Sequence, residues 1–279
     1  MQKIYISNLK YNNKKEIDTE KNEIYRLNKN TYFKMMKNYN ANEACEKERK
    51  IIYADNIKGI SSIVKPKCAV YLDAQKSKYI GYIMDRVDGV EFDHDNICKN
   101  TKYSDSNLYR YADLYLKLEK IVKSANRNGV IIPDLCSINN VLIDSSDKIH
   151  IIDYDDMQVG SIDADCLSSI YSLSNLSEKY YKDGLFNDNL DKKSLLYMYL
   201  KITFNMNPDV IQKLTYKKDG SKLIKYLGIK DYDIKNKIGS YFNDEVDNDY
   251  LGYTTMQIAD RYDLSCSKKL VKKKIVSDI

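Results

Sequence analysis

Between residues 23 and 36 apolar and polar side chains alternate in two runs. Glu23-Ile24-Tyr25-Arg26-Leu27 and Thr31-Tyr32-Phe33-Lys34-Met35-Met36 both carry the two-residue period of a half-buried strand, and Asn28-Lys29-Asn30 between them has turn chemistry. The pattern predicts a β-hairpin. Over residues 42–54 the period changes, and Ala44, Cys45, Glu48, Ile51 and Ile52 fall on one face of a helix. Strand-like runs return at 68–74 and 79–84 around a polar turn at 75–78, and Gly89 breaks the pattern.

A longer helix is predicted over residues 106–126, where Leu108, Tyr111, Ala112, Tyr115, Leu118, Ile121 and Val122 recur at helical spacing. Asn128-Gly129 closes it with a left-handed cap. Two short β-rich runs follow, 140–143 and 148–152, joined by Asp144-Ser145-Ser146-Asp147. Helices are predicted at 167–181 and 193–204, with weaker helical segments to the end. The fold class is therefore α+β, strand-rich first and helical afterwards, without an internal repeat.

The 279 residues, 43% of them hydrophobic and 30% charged, suffice for one large domain or two small ones. The net charge of +5 comes from 45 basic and 40 acidic residues interleaved along the chain, so no nucleic-acid footprint forms and no DNA partner is expected. No run approaches the roughly 18 apolar residues that span a bilayer. The first residues lack the apolar stretch of a signal peptide. A cytoplasmic protein with no membrane span is the expectation. Six scattered cysteines read as reduced packing residues. His94, in Glu91-Phe92-Asp93-His94-Asp95, reads as part of a solvated loop, and the basic run at 268–274 as a solvated end.

One stretch carries chemistry. Pro133-Asp134-Leu135-Cys136-Ser137-Ile138-Asn139-Asn140 follows the capped helix and leads into a strand, a tight turn, a second strand and then Asp153-Tyr154-Asp155. Phosphoryl transfer needs groups in this order. One carboxylate orients the attacking hydroxyl. An amide and a second carboxylate, brought together by the hairpin, hold Mg²⁺, a hard cation suited to oxygen ligands.

On these residues the chain resembles the protein-kinase-like superfamily, which includes Ser/Thr protein kinases and the aminoglycoside and choline phosphotransferases. The resemblance covers residues 15–180. It implies a bilobal fold: a small N-terminal lobe, residues 1–88, built of an antiparallel sheet and one helix, and a larger helical lobe, 89–279, with the catalytic loop. By resemblance Asp134 is the catalytic aspartate and Asp153 the metal-binding one. Asn139 has the family's spacing from Asp134, whereas Asn140 leads into its strand as the family's asparagine does; Asn140 is narrowly favoured. Lys34 corresponds to the phosphate-binding lysine and Glu48 to its helical ion-pair partner. The run ending Met84-Asp85-Arg86-Val87 resembles the last N-lobe strand and hinge, whose backbone meets adenine.

Three departures from the family pattern stand out. No glycine precedes Gly59, so the connection near residues 18–22 is not a glycine-rich phosphate loop. Ile132 replaces the histidine two residues before the catalytic aspartate. The segment after Asp153 is short and runs towards a helix without a peptide-docking anchor, and Asp165 falls where aminoglycoside-type enzymes resume with an aspartate. The implied activity is an ATP- and Mg²⁺-dependent phosphotransferase acting on a hydroxyl of a protein Ser/Thr or of a small molecule. The alternative is a pseudokinase-like nucleotide- or partner-binding module without turnover.

Overall fold

The computed structural model of the chain describes residues 1–204 apart from 12–13, 38–39, 74–77, 94–95, 98–106, 170–172, 174–175 and 177. Most of the 75–78 turn, His94, Cys98, Cys266, every segment after Phe204 and the basic run thus lie outside the described residues. Strands β1 (Gln2–Tyr5), β2 (Lys15–Asp18), β3 (Asn22–Asn28), β4 (Thr31–Met36), β5 (Pro66–Tyr71) and β6 (Tyr79–Asp85) form one sheet in the order β1-β5-β6-β4-β3-β2. β1 runs parallel to β5, with Gln2 opposite Cys68 and Tyr5 opposite Tyr71; every other pair is antiparallel.

Strand alternation sorts the side chains of this sheet. Phe33 faces Tyr25 and Ile83 across the ladder, and these join Val70 in a small outer core. Lys34 is opposite Ile24 and Tyr82 on the other face, towards the main core. Helix α1 (Ala41–Tyr53) packs on β5 and β6. It begins with a capping box: Asn40 accepts from the amides of Asn42 and Glu43 at 3.0 Å, and Glu43 accepts from the Asn40 amide at 3.1 Å.

After β6 come β7 (Gly89–Glu91), the long helix α2 (Asn107–Arg127), β8 (Val130–Ile131), β9 (Val141–Asp144), β10 (Ile149–Ile151) and β11 (Gln158–Val159). β10-β9-β7 form a three-stranded antiparallel sheet, and β11 pairs with β8. Gly129, at φ 71, supplies the left-handed residue that ends α2. The segment that leads into β5 is tied to β10 by the Ile151 amide donating to Ser62 O and the Val64 amide to Ile151 O, both at 2.8 Å.

A hairpin of β12 (Tyr181–Lys182) and β13 (Leu185–Phe186) precedes helix α3 (Asp188–Phe204). Here one sequence expectation is corrected. The described residues of 167–181 are not α-helical, and Tyr181 belongs to a strand. Tyr181 and Phe186 pack ring to ring, and Gln158 holds Phe186 through its amide (2.7 Å) and carbonyl (2.8 Å). Those tertiary contacts override the apolar periodicity. The chain is a mixed α/β protein with a many-stranded sheet and, among the described residues, three long helices; none is long and apolar enough to cross a membrane.

Candidate active site

Lys34 sits near the middle of β4, and its side chain is almost fully buried. Gly81 makes room for the β4 backbone at this point. A Cβ on Gly81 would lie 2.1 Å from the Lys34 carbonyl oxygen, and its φ of 153° is one that side-chain-bearing residues rarely adopt. The Lys34 ammonium donates to Asp153 Oδ1 at 3.1 Å and to Asp155 Oδ1 at 2.8 Å. Burial alone would lower the lysine pKa, but Asp155, Asp153 and Asp156 outweigh it and hold the pKa well above the ordinary value.

The acidic loop that receives Lys34 begins where β10 ends. The Ile152 amide donates to Asn140 O at 3.0 Å, and Asp153 follows in the left-handed region at φ 60, ψ 48. Aspartate is among the few side-chain-bearing residues that accept this conformation. A short 3-10 turn, Tyr154–Asp156, then sends the Tyr154 ring into the main core and buries Asp155 completely. Asp155 accepts from Lys34, from Lys47 Nζ at 3.0 Å and from the Tyr82 hydroxyl at 2.6 Å. Lys47 also reaches Asp156 at 2.9 Å and Asp165 at 3.0 Å, and Lys50 reaches Asp165 at 2.7 Å and Asp155 O at 3.2 Å. Burial would raise the Asp155 pKa, but Lys34 and Lys47 keep it well below the carboxylate range.

Asp134 lies in the turn after β8. Asn140 Nδ2 donates to Asp134 Oδ2 at 2.9 Å and to its carbonyl at 3.1 Å, and the Ser137 hydroxyl donates to Oδ1. Burial raises the Asp134 pKa; Ser137 and Asn140 oppose the rise, and the nearby Asp153 charge adds to it. The loop is anchored from below by Asp191 in the first turn of α3. Its fully buried carboxylate accepts the Ile132 amide at 3.0 and 3.2 Å. The Asn126 carboxamide, turned with its nitrogen towards Asp191, adds a bond of 2.7 Å. Burial pushes the Asp191 pKa well up.

Lys34 and Asp153 thus meet, Asn140 meets Asp134, and Asp134 feels Asp153. Asn139 is exposed to solvent. Glu48 does not join them. It accepts from the Tyr71 hydroxyl and lies 3.8 Å from Lys3 Nζ. The reason is the rotation of α1, which buries Lys47, Lys50 and Ile51 and leaves Cys45 and Ile52 exposed. The end of β6 and the two residues after it are also occupied by internal contacts. Met84 is buried, Asp85 pairs with Lys67, the Arg86 amide donates to Asn30 O at 2.9 Å, and Val87 packs on the main core. Arg86 and Val87 border two clefts of about 1030 and 840 Å³, and neither cleft includes Lys34, Asp134 or Asp153.

Sequence reasoning passed over Asp155, Lys47, Lys50, Tyr82 and Asp191. A signal existed for the lysines. Residues 47, 50, 51 and 54 repeat at i, i+3, i+4 and i+7, and three aspartates within 153–156 need counter-cations. Among the described residues no three His, Cys, Asp or Glu side chains gather as a metal cluster. Of the predicted metal-binding side chains, Asp153 gives Oδ1 to Lys34 and is left with Oδ2, and Asn140 spends its nitrogen on Asp134 and is left with Oδ1. Such a sparse oxygen set fits Mg²⁺, which keeps several waters and takes phosphate oxygens from its ligand. The chain matches no family model, and comparison with curated proteins found no match.

Proposed function

We propose that this protein is an ATP- and Mg²⁺-dependent phosphotransferase of the protein-kinase-like fold. The observation that carries the reading is the 3.1 Å bond between Lys34 and Asp153, residues of two separate sheet regions 119 positions apart. It sets a buried cation beside a carboxylate at the end of a strand, with Asp134 and Asn140 alongside. Further support comes from the antiparallel β2–β6 region with α1 inserted between β4 and β5, followed by the long α2 and the Asp134 loop.

Lys34 would face the α- and β-phosphates of the nucleotide. Asp153 and Asn140 Oδ1 would hold Mg²⁺, which supplies charge neutralisation at the phosphates. Asp134 would orient the acceptor hydroxyl. The acceptor oxygen forms a bond to the γ-phosphorus as the bond from that phosphorus to the β–γ bridging oxygen breaks; ADP leaves, and the hydroxyl proton passes to Asp134. Asn140 and Ser137 keep that carboxylate aimed. The acceptor is a small molecule or a protein Ser/Thr.

A second reading, a binding module without turnover, is favoured by the glycine-free connection between β2 and β3 and by the engagement of Lys34 with two carboxylates. Thermal unfolding with ATP, with and without Mg²⁺, on wild type and Asp153→Asn tests the site. A ligand at about a hundred times its Kd adds about 2.7 kcal/mol. A metal-dependent shift lost in Asp153→Asn supports the site. Transfer of labelled phosphate from ATP, lost in Asp134→Ala, separates the enzyme from the module. No shift at saturating nucleotide sinks the phosphotransferase reading and favours the partner-binding module.

A further inference from the structure

Resting on the phosphotransferase reading, we infer that Asp155 is the positioning residue for the phosphate-binding Lys34 and that Lys47 of α1 holds Asp155 in place, so that the helix contributes a cation rather than a carboxylate. Three observations converge on this. Asp155 is fully buried and its two oxygens divide the work: Oδ1 takes Lys34 at 2.8 Å and the Tyr82 hydroxyl at 2.6 Å, while Oδ2 takes Lys47 at 3.0 Å. Lys47 and Lys50 are themselves buried, a costly state for lysine unless anions surround it. Glu48, the α1 carboxylate closest in sequence to the lysine pair, is committed to Tyr71 and Lys3 on the β1–β5 side of the helix.

The arrangement has a physical logic. Three ammonium groups, Lys34, Lys47 and Lys50, interlock with four carboxylates, Asp153, Asp155, Asp156 and Asp165. Tyr82 steadies the shared oxygen of Asp155, and its ring lies 5.9 Å from the Lys34 ammonium. Lys34 therefore has two kinds of carboxylate partner. Asp153 is partly exposed and lies on the open side; Asp155 is sealed beneath it. Phosphates arriving beside Asp153 meet a lysine whose aim is fixed from behind by Asp155. Because Lys47 bridges Asp155, Asp156 and Asp165, α1 and the acidic loop are held as one unit.

Comparing ADP with adenosine isolates this role, because Lys34 acts only on phosphates. Calorimetry would give the ratio of the adenosine Kd to the ADP Kd for wild type, Asp155→Asn, Lys47→Met, Lys47→Arg and Glu48→Gln, each verified as folded by circular dichroism. The expected result is a ratio reduced at least about tenfold in Asp155→Asn and Lys47→Met, with adenosine affinity retained. Lys47→Arg, which preserves the cation, and Glu48→Gln keep the wild-type ratio. A purely structural role would weaken adenosine and ADP together and overturns the inference, as does a ratio lost in Glu48→Gln or unchanged in Asp155→Asn. Where Asp155→Asn does not fold, the contrast between Lys47→Met and Lys47→Arg carries the same test. A wild type that binds neither compound refutes the phosphotransferase reading itself, and the inference falls with it.

Discussion

Lys34 and Asp155, 121 residues apart in the chain, meet at 2.8 Å where neither is open to solvent. A buried ion pair is costly to desolvate and costlier to break, because the partner left behind is an uncompensated charge. Lys34→Met should therefore destabilise the fold by about 3 kcal/mol, at the lower end of the range for such losses, since Lys47 and Tyr82 still serve Asp155. Urea unfolding measures it; a loss below about 1 kcal/mol would show that water enters the cluster.

Glu48→Gln should be mild. Its partners are a tyrosine hydroxyl and a lysine that is itself more than half exposed. The expected loss is about 1 kcal/mol or less, read as a small change in the urea midpoint.

The two adjacent asparagines should behave differently. Asn140→Ala removes two hydrogen bonds to Asp134, one of them to an oxygen of its carboxylate, and should cost about 1.5–3 kcal/mol. Asn139 is exposed, and Asn139→Ala should stay within about 0.5 kcal/mol of wild type. Equal effects on the thermal midpoint would contradict the assignment of Asn140 as the loop's internal brace.

Gly81→Ala should be among the most damaging single-methyl changes in the sheet. The added carbon would strike the Lys34 carbonyl, and the backbone angle disfavours any side chain. A loss of about 3 kcal/mol or more is expected from the clash and the strain together, measured by thermal unfolding.

Asp191 gives a pH dependence with a definite sign. Its pKa in the folded protein lies above the unfolded value of about 4. Above pH 4 the unfolded chain has lost this proton while the native state still holds it. The native state then binds more protons, so stability falls as pH rises through that window. Asp191→Asn keeps an acceptor for the Ile132 amide and removes the titration. The wild type should lose stability relative to this variant between about pH 4 and neutrality. A difference that does not vary with pH would mean the carboxyl is ionised throughout.

Much of this architecture is legible in the residue pattern. The β3–β4 hairpin, α1, α2, Gly129 as a helix cap and the β9–β10 hairpin all follow from periodicity and turn chemistry, because each is a local choice. The order of Lys34, Asp134, Asn140 and Asp153 is likewise visible. The rotation of α1 is not. Hydropathy assigns Lys47 and Lys50 to solvent, and only the acidic loop more than a hundred residues later makes their burial favourable. Tyr82 and Asp155 fail to announce themselves for the same reason. Their roles are defined by each other across the fold. The helix expected over 167–181 fails because Gln158 and the β12–β13 hairpin recruit its end.

The parallel pairing of β1 with β5 has a consequence for how the chain is made. Gln2–Tyr5 must wait for Cys68–Tyr71, and by then β2, β3, β4 and α1 have all emerged from the ribosome. Hairpins close early, since their loops are short, whereas this pairing closes a long loop against its entropy. Gln2–Tyr5 therefore cannot take its place before β5 exists, and during synthesis that edge of β5 stays open until this distant strand returns to cover it.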